Sequence, residues 1–337
     1  MICSSQPLEV ARGKKFSDVT HKLIRQSFTR PHKTTLSSSW AMAMNSRPSS
    51  PTMEYQIDHL QFMQAQEPHY QISADYLSSS SATITAADRR ALCSWSYEII
   101  ESLLNINREV ACIGISYLDR FMATSSPRAK AALTTRHEYQ LATVACTVIA
   151  IKNRGGVKLG SDFVANEICH GLYTSDEIDV MEMEVMQALT WKLNGPSPHE
   201  FIDALVGLLP ASSCEDGSED DNASSSLLLS KHSKNQVEAA VLDYDLALQS
   251  SLTLAYASIL TSLQTTSEIL DLFSPMVLIN WMLNINSVMA GSRMDQIFVK
   301  GLVDVVRTSW VSSPTSVVTE DLNGAMPISI TLERSNE

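Results

Sequence analysis

Residues 137–152, HEYQLATVACTVIAIK, constrain the fold of this chain more than any other stretch. From Tyr139 to Ile151 the run is apolar or small almost all the way round. A helix of that kind offers water no polar stripe, so it must be enclosed on every side as the central helix of a bundle. Thr135 is placed to cap it and Lys152 to close it.

The flanking segments read as the helices that enclose it. Thr85 with Asp88 three residues on resembles a capping box, and Leu92, Trp95, Ile99 and Leu103 then share one stripe. Asn107 is placed to cap a second helix through Val110, Ile113, Tyr117 and Phe121. Ser161 starts a short fourth helix, which Gly171 ends in the position favoured for a left-handed cap. Thr174-x-x-Glu177 is a capping box for a fifth, ending near Leu193. Five helices with the middle one buried make a bundle over residues 53–195, its leading segment (Ile57, Leu60, Met63) stopped by Pro68.

Asn194, Gly195, Pro196 and Pro198 break the chain. Ser197-Pro198-His199-Glu200 then supplies cap, first-turn proline and N3 glutamate together. The helix through Phe201, Leu205 and Leu209 stops at Pro210, and the acidic, serine-rich run 211–226 reads as a loop. Helical periodicity returns near Asn235 and continues to Val306, which gives a second bundle over 196–308. Strand signals are weak throughout, so the expected class is all-α, two bundles in series. The chain, at 337 residues, has room for two domains of about 100–150 residues plus tails. Residues 1–52 and 309–337 read as disordered tails. The first is basic and Ser/Thr-rich, a composition that an organelle transit peptide shares, and its Ser50-Pro51 suits a proline-directed kinase.

Charge and cysteine usage narrow the function. The net charge is −12. Residues 1–50 hold eight Lys/Arg against two acids, a balance of +6 that leaves −18 on the rest. An acidic body argues against a nucleic-acid-binding core. The six cysteines include no CxxC pair, and four lie in apolar helical segments as small hydrophobes, which fits a reducing compartment. No apolar run approaches ~18 residues, so no membrane span is expected. The chain carries no GxGxxG, P-loop, GxSxG or HExxH, and no histidine stands in metal-ligand spacing. Neither catalysis nor a cofactor or metal is expected.

The ordered segments resemble the cyclin box. Residues 89–98 (RRALCSWSYE) look like the family's first-helix signature, and 117–122 (YLDRFM) match its second-helix motif. The third helix ending in Lys152, the pattern 180–193 (VMEMEVMQALTWKL) and the hinge 194–201 (NGPSPHEF) come next, in order. A weaker match, 237–263, extends into a divergent second cyclin fold. The resemblance implies a non-enzymatic regulatory subunit that binds and activates a cyclin-dependent protein kinase in cell-cycle progression, in nucleus or cytoplasm. It places Lys152, Glu182, Ile149, Met186 and Leu193 against the kinase, and Arg89 with Asp119 in a buried ion pair. It also implies a patch that docks substrate or inhibitor peptides, at Leu92, Trp95, Glu98 and Gln140, with Asp88 and Tyr139 beside them. Asp88 stands where the family has methionine, and an ionised carboxylate spoils an apolar pocket. Asn153-Arg154-Gly155 stands where many cyclins carry an aromatic residue and acids. That departure leaves open a cyclin-fold adaptor without kinase activation, and, further off, a two-repeat transcription factor that touches DNA. The kinase and the phase of the cell cycle are not written in the sequence.

Overall fold

Capping chemistry sets where several of the helices begin. The computed structural model describes residues 53–79, 82–209, 219–266, 269 and 272–288, and every regular element among them is helical. Both expected tails, Ser50-Pro51, 210–218 and everything after 288 lie outside the described residues. Helix α1 is Met53–Gln66, followed by one 3-10 turn, Glu67–His69. α2, Ala86–Glu98, starts from the expected box: Thr85 Oγ1 accepts from the Asp88 amide, and the Asp88 carboxylate accepts from the Thr85 amide. A π-helical turn, Ile99–Leu104, continues it. α3 is Glu109–Met122, and Asn107 Oδ1 accepts from the Glu109 amide.

The chain then makes a helix that the sequence reading did not anticipate, α4, Pro127–Thr134, with proline in its first turn. The central helix α5 is Arg136–Arg154, and α6 is Ser161–Phe163 with a π-helical turn, Val164–Ile168. Gly171 is left-handed at φ 77°, as expected. α7, Ser175–Ala188, begins at the full Thr174–Glu177 box. It stops earlier than the expected Leu193, because Thr190 (φ 51°) and Trp191 (φ 58°) both turn left-handed.

α5 is enclosed as its composition demands. Every residue from Leu141 to Ile151 is buried, and α5 packs against α2, α3, α4 and α7. Each such Val, Leu or Ile contributes roughly 1.5–3 kcal/mol through burial. Gly114 lets α3 approach: a Cβ there would lie 3.2 Å from the Thr147 Cα.

The second bundle comprises α8 (Pro198–Gly207), α9 (Glu219–Leu242), α10 (Tyr244–Ala247), α11 (Ser251–Thr265) and α12 (Pro275–Val288). The Ser197–Glu200 box opens α8 as expected. Of the acidic run 211–226, expected to be a loop, residues 219–226 are helical, since α9 begins at Glu219; 211–218 lie outside the described residues. Acidic residues at the start of a helix complement its dipole, so a charged, serine-rich composition does not forbid the first turns. α8, α9 and α11 pack mutually, and α12 is pinned by the buried Trp281, whose indole donates to the Leu205 carbonyl at 2.8 Å.

Two buried charges join the bundles. Arg89 donates to both carboxylate oxygens of Asp119, at 2.8 and 2.7 Å, and the two side chains are 0% and 2% exposed. The expected ion pair is therefore present, and it does more than tie α2 to α3. Arg89 also donates to the Val241 carbonyl at 2.9 Å at the end of α9, and the Tyr76 hydroxyl donates to Asp119 at 2.6 Å. Burial works against the charge of Arg89, but the facing Asp119 outweighs it and holds the guanidinium cationic. The second joint is Glu67, after α1, whose carboxylate accepts from the Leu252 amide at the start of α11, at 2.9 Å.

Candidate functional site

Lys152 and Glu182 come together where the end of α5 meets the middle of α7. The Lys152 ammonium donates to both oxygens of Glu182 at 2.8 Å. The lysine side chain is 36% exposed and the glutamate 8%. A long apolar helix followed by a lysine explains the first placement: the stem is buried with α5 and the head emerges at the edge. Burial pushes the Glu182 carboxyl up from its ordinary value, and Lys152 pulls it back.

The other residues that the resemblance placed against a kinase lie on the same two helices and the coil after α7. Ile149 is buried (3% exposed), one turn before Lys152. Met186, one turn after Glu182, and Leu193 are partly buried and pack on the core. The sequence reading did not single out the exposed apolar residues of this region: Val180 and Met183 on α7, and Trp191 beyond it. The signal available for Trp191 was its place in the pattern 180–193. Its left-handed backbone, which for a bulky residue costs on the order of 1–3 kcal/mol, was not readable. That turn is held from behind by α3, since the Tyr117 hydroxyl donates to the Leu193 carbonyl at 2.7 Å and Arg120 to that of Lys192 at 2.8 Å. Asn153, in place of an aromatic residue, donates to the Tyr117 hydroxyl at 3.1 Å and to Asn194 at 3.0 Å.

The second expected patch lies along α2 and the start of α5. Leu92 (7% exposed) and Tyr139 (1%) belong to the core, while Trp95 and Gln140 are partly exposed and Glu98 exposed. Asp88 is occupied with its cap and with Arg136 at 3.2 Å, which accounts for a carboxylate at that position. Among the described residues no cluster of three or more His, Cys, Asp or Glu could hold a metal ion. The four described cysteines are buried thiols; burial pushes Cys93 and Cys169 up to about 12 and the other two further, which keeps them from acting as nucleophiles.

Residues 58–194 match the family model described as the cyclin N-terminal domain. The chain is 26% identical over 210 residues to G1/S-specific cyclin-D1 of Danio rerio, covering 61% of this chain and 64% of that one. It is 26% identical over 198 residues to G1/S-specific cyclin-D2 of Xenopus laevis (57% and 60%), and 25% over 181 residues to cyclin-A3-2 of Oryza sativa (53% and 42%). The match thus spans less than two thirds of the length of each of these relatives. Among solved structures, a viral cyclin from herpesvirus saimiri superposes with a TM-score of 0.54 at 17% identity, covering 76% of this chain and 96% of that one. That likeness extends the shared all-α fold into the second bundle.

Proposed function

The chain belongs to the cyclin family through its first bundle, and from that premise we propose that it is the regulatory subunit of a cyclin-dependent Ser/Thr protein kinase. The observation that carries the reading is the pairing of Lys152 and Glu182, distant in sequence, at the α5–α7 edge, with the lysine head partly exposed and the glutamate buried beneath it. On α7 and the coil after it lie the exposed Met183 and Trp191 and the partly buried Met186 and Leu193, which we read as an apolar border to that charged centre. Such a border suits a partner helix. A protein kinase is active only when its αC helix brings a glutamate to the active-site lysine. A subunit that grips that helix from outside supplies the missing constraint while contributing no catalytic group. The names of the D-type relatives support a role in cell-cycle progression, and the matching place of action is nucleus or cytoplasm.

The test is capture of purified cyclin-dependent kinases by the recombinant full chain, with phosphorylation of a Ser-Pro peptide as readout. One kinase is expected to be captured and stimulated. Lys152→Ala with Glu182→Ala is expected to lose both effects at unchanged helical content. Undiminished capture by the double variant would place the interface elsewhere. Capture without stimulation would favour the adaptor reading, which gains support from Asn153: its side chain is engaged with Tyr117 and Asn194 where many cyclins present an aromatic contact.

A further inference from the structure

We propose that the cleft between the two bundles is a binding site for a small organic carboxylate, held by the guanidinium of Arg120. The cleft has a volume of about 80 Å³, and its walls come from the Tyr70–Ile72 segment, α3, the linker at Leu193–Pro198, and α11. Arg120 lines it while only 8% exposed.

The first support is the company Arg120 keeps. Of the seven described arginines, Arg89, Arg90, Arg108, Arg128, Arg136 and Arg154 each reach a carboxylate, and Arg120 alone does not. Its partners are the Lys192 carbonyl and the face of the Tyr70 ring, 5.1 Å from the guanidinium. The groups that act on its charge, after burial itself, are the phenols of Tyr117 and Tyr70 and the thiol of Cys146. Burial pushes this guanidinium down from its ordinary value, and no carboxylate is among the groups that offset it. A buried charge in that condition is costly, and a planar fork of five donors is shaped for a carboxylate.

The second support is the rest of the wall. Ile72, Ile113, Leu193 and Leu254 offer apolar surface, and the Tyr70 ring closes one side. Gly195 lies flat on that ring: a Cβ there would come within 2.4 Å of Tyr70 Cγ. Glu67 and Asp119 also line the cleft, the first with its carboxylate already accepting from the Leu252 amide and the second engaged by Arg89 and Tyr76. A second negative group near Glu67 would be repelled, so the cleft favours a monoanion with an apolar body over a phosphate or a dicarboxylate. Cavities of this size hold a few waters or a short-chain acid.

The probe is butyrate, with the neutral isostere butyramide, titrated into the ¹⁵N-labelled full chain and followed by amide chemical shifts. Butyrate is expected to give saturable shifts at Tyr70, Tyr117 and Gly195, and butyramide to bind about tenfold more weakly or worse. Arg120→Gln is expected to abolish the butyrate shifts. Should that variant fold poorly, Ser116→Phe decides, because Ser116 is an exposed residue of the cleft wall and a phenyl ring there plugs the cleft from outside. Equal effects of butyrate and butyramide, shifts confined to other surfaces, or binding retained in Ser116→Phe would each overturn the proposal.

Discussion

The two bundles are built on the same internal plan and differ at one helix end. In the first, α5 is enclosed and its threonines bond back along the helix: Thr147 donates to the Thr143 carbonyl at 2.8 Å and meets Ser96 of α2 at 3.1 Å. In the second, α11 is enclosed in the same way. Ser262 donates to the Ser258 carbonyl at 3.0 Å and meets Ser233 of α9 at 3.1 Å. Thr147 and Ser262 are thus each satisfied by one local and one cross-helix bond, which lets a small polar residue lie in the core. Beyond the core the bundles part. α5 runs on into Lys152 and Arg154, paired with Glu182 and Glu200, whereas α11 carries no charged residue and ends in Leu263-Gln264-Thr265. Among the described residues the enclosed helix runs out into a charged edge only in the first bundle, and the first bundle is the one within the match at residues 58–194. An enclosed helix makes a bundle; the residues after its last buried turn decide whether the bundle presents a site.

The comparison breaks most severely at the joint. Arg89 belongs to the first bundle but donates to a carbonyl of the second, so its loss should uncouple what the sequence treats as separate domains. Arg89→Met leaves Asp119 buried without its cation and Val241 without its donor, and is expected to cost about 3–5 kcal/mol. Denaturant unfolding followed by near-UV circular dichroism should then show two transitions. Arg89→Met with Asp119→Leu is expected to recover part of the loss, since no charge is left unpaired. A single transition with a loss under about 1 kcal/mol would show that the Arg89 joint is not what couples the bundles.

How much of this was legible depends on the distance between partners. The boxes at Thr85–Asp88, Thr174–Glu177 and Ser197–Glu200 lie within three residues, and each formed where it was read. α5 announced itself by composition. α4 was missed although Ser126-Pro127 is a start signal, because eight residues rich in alanine carry too weak a stripe to stand out. The first turns of α9 were read as loop because acidic and serine-rich composition correlates with loops without forbidding a helix start. Tyr76 and Val241, the further partners of the Arg89–Asp119 pair, stand in no short-range pattern with it and had no signal at all. The left-handed turn at Trp191 had none either.

Packing at the two bundles should answer differently to one added methyl group. At Gly114 a Cβ would meet backbone, the Thr147 Cα at 3.2 Å, so α3 and α5 must part. Gly114→Ala is expected to destabilise by roughly 1–3 kcal/mol. At Gly207, the last residue of α8, the first atom met is the amide nitrogen of Gln56 at 3.4 Å, the end of a flexible side chain. Gly207→Ala is expected to be neutral or to stabilise by about 0.4–1 kcal/mol, chiefly through the unfolded state. Thermal melts of the two variants side by side test this, and equal losses would mean that α8 packs on α1 as tightly as α3 packs on α5.

The smallest expected effect concerns the other joint and depends on pH. Glu67 is buried like Arg89 but has no ion to face it; burial raises its carboxyl above the ordinary 4.5, while the Leu252 and Ser251 amides and the Ser250 hydroxyl pull it down. A carboxyl raised in the folded state costs stability while ionised. That cost is present above the folded value, shrinks as pH falls through it, and is gone below 4.5, where the unfolded chain is protonated too. Glu67→Gln keeps an oxygen to accept from Leu252 and removes the ionisable group. The variant is therefore expected to compare best with the natural chain at pH 7, by about 1 kcal/mol or less, and to lose that advantage toward acid. Stability curves for both proteins from pH 7 to pH 4 measure it. An advantage that grew on acidification would mean that Glu67 is stabilised as an anion, and that the bundles are joined there, as at Arg89, by a compensated charge.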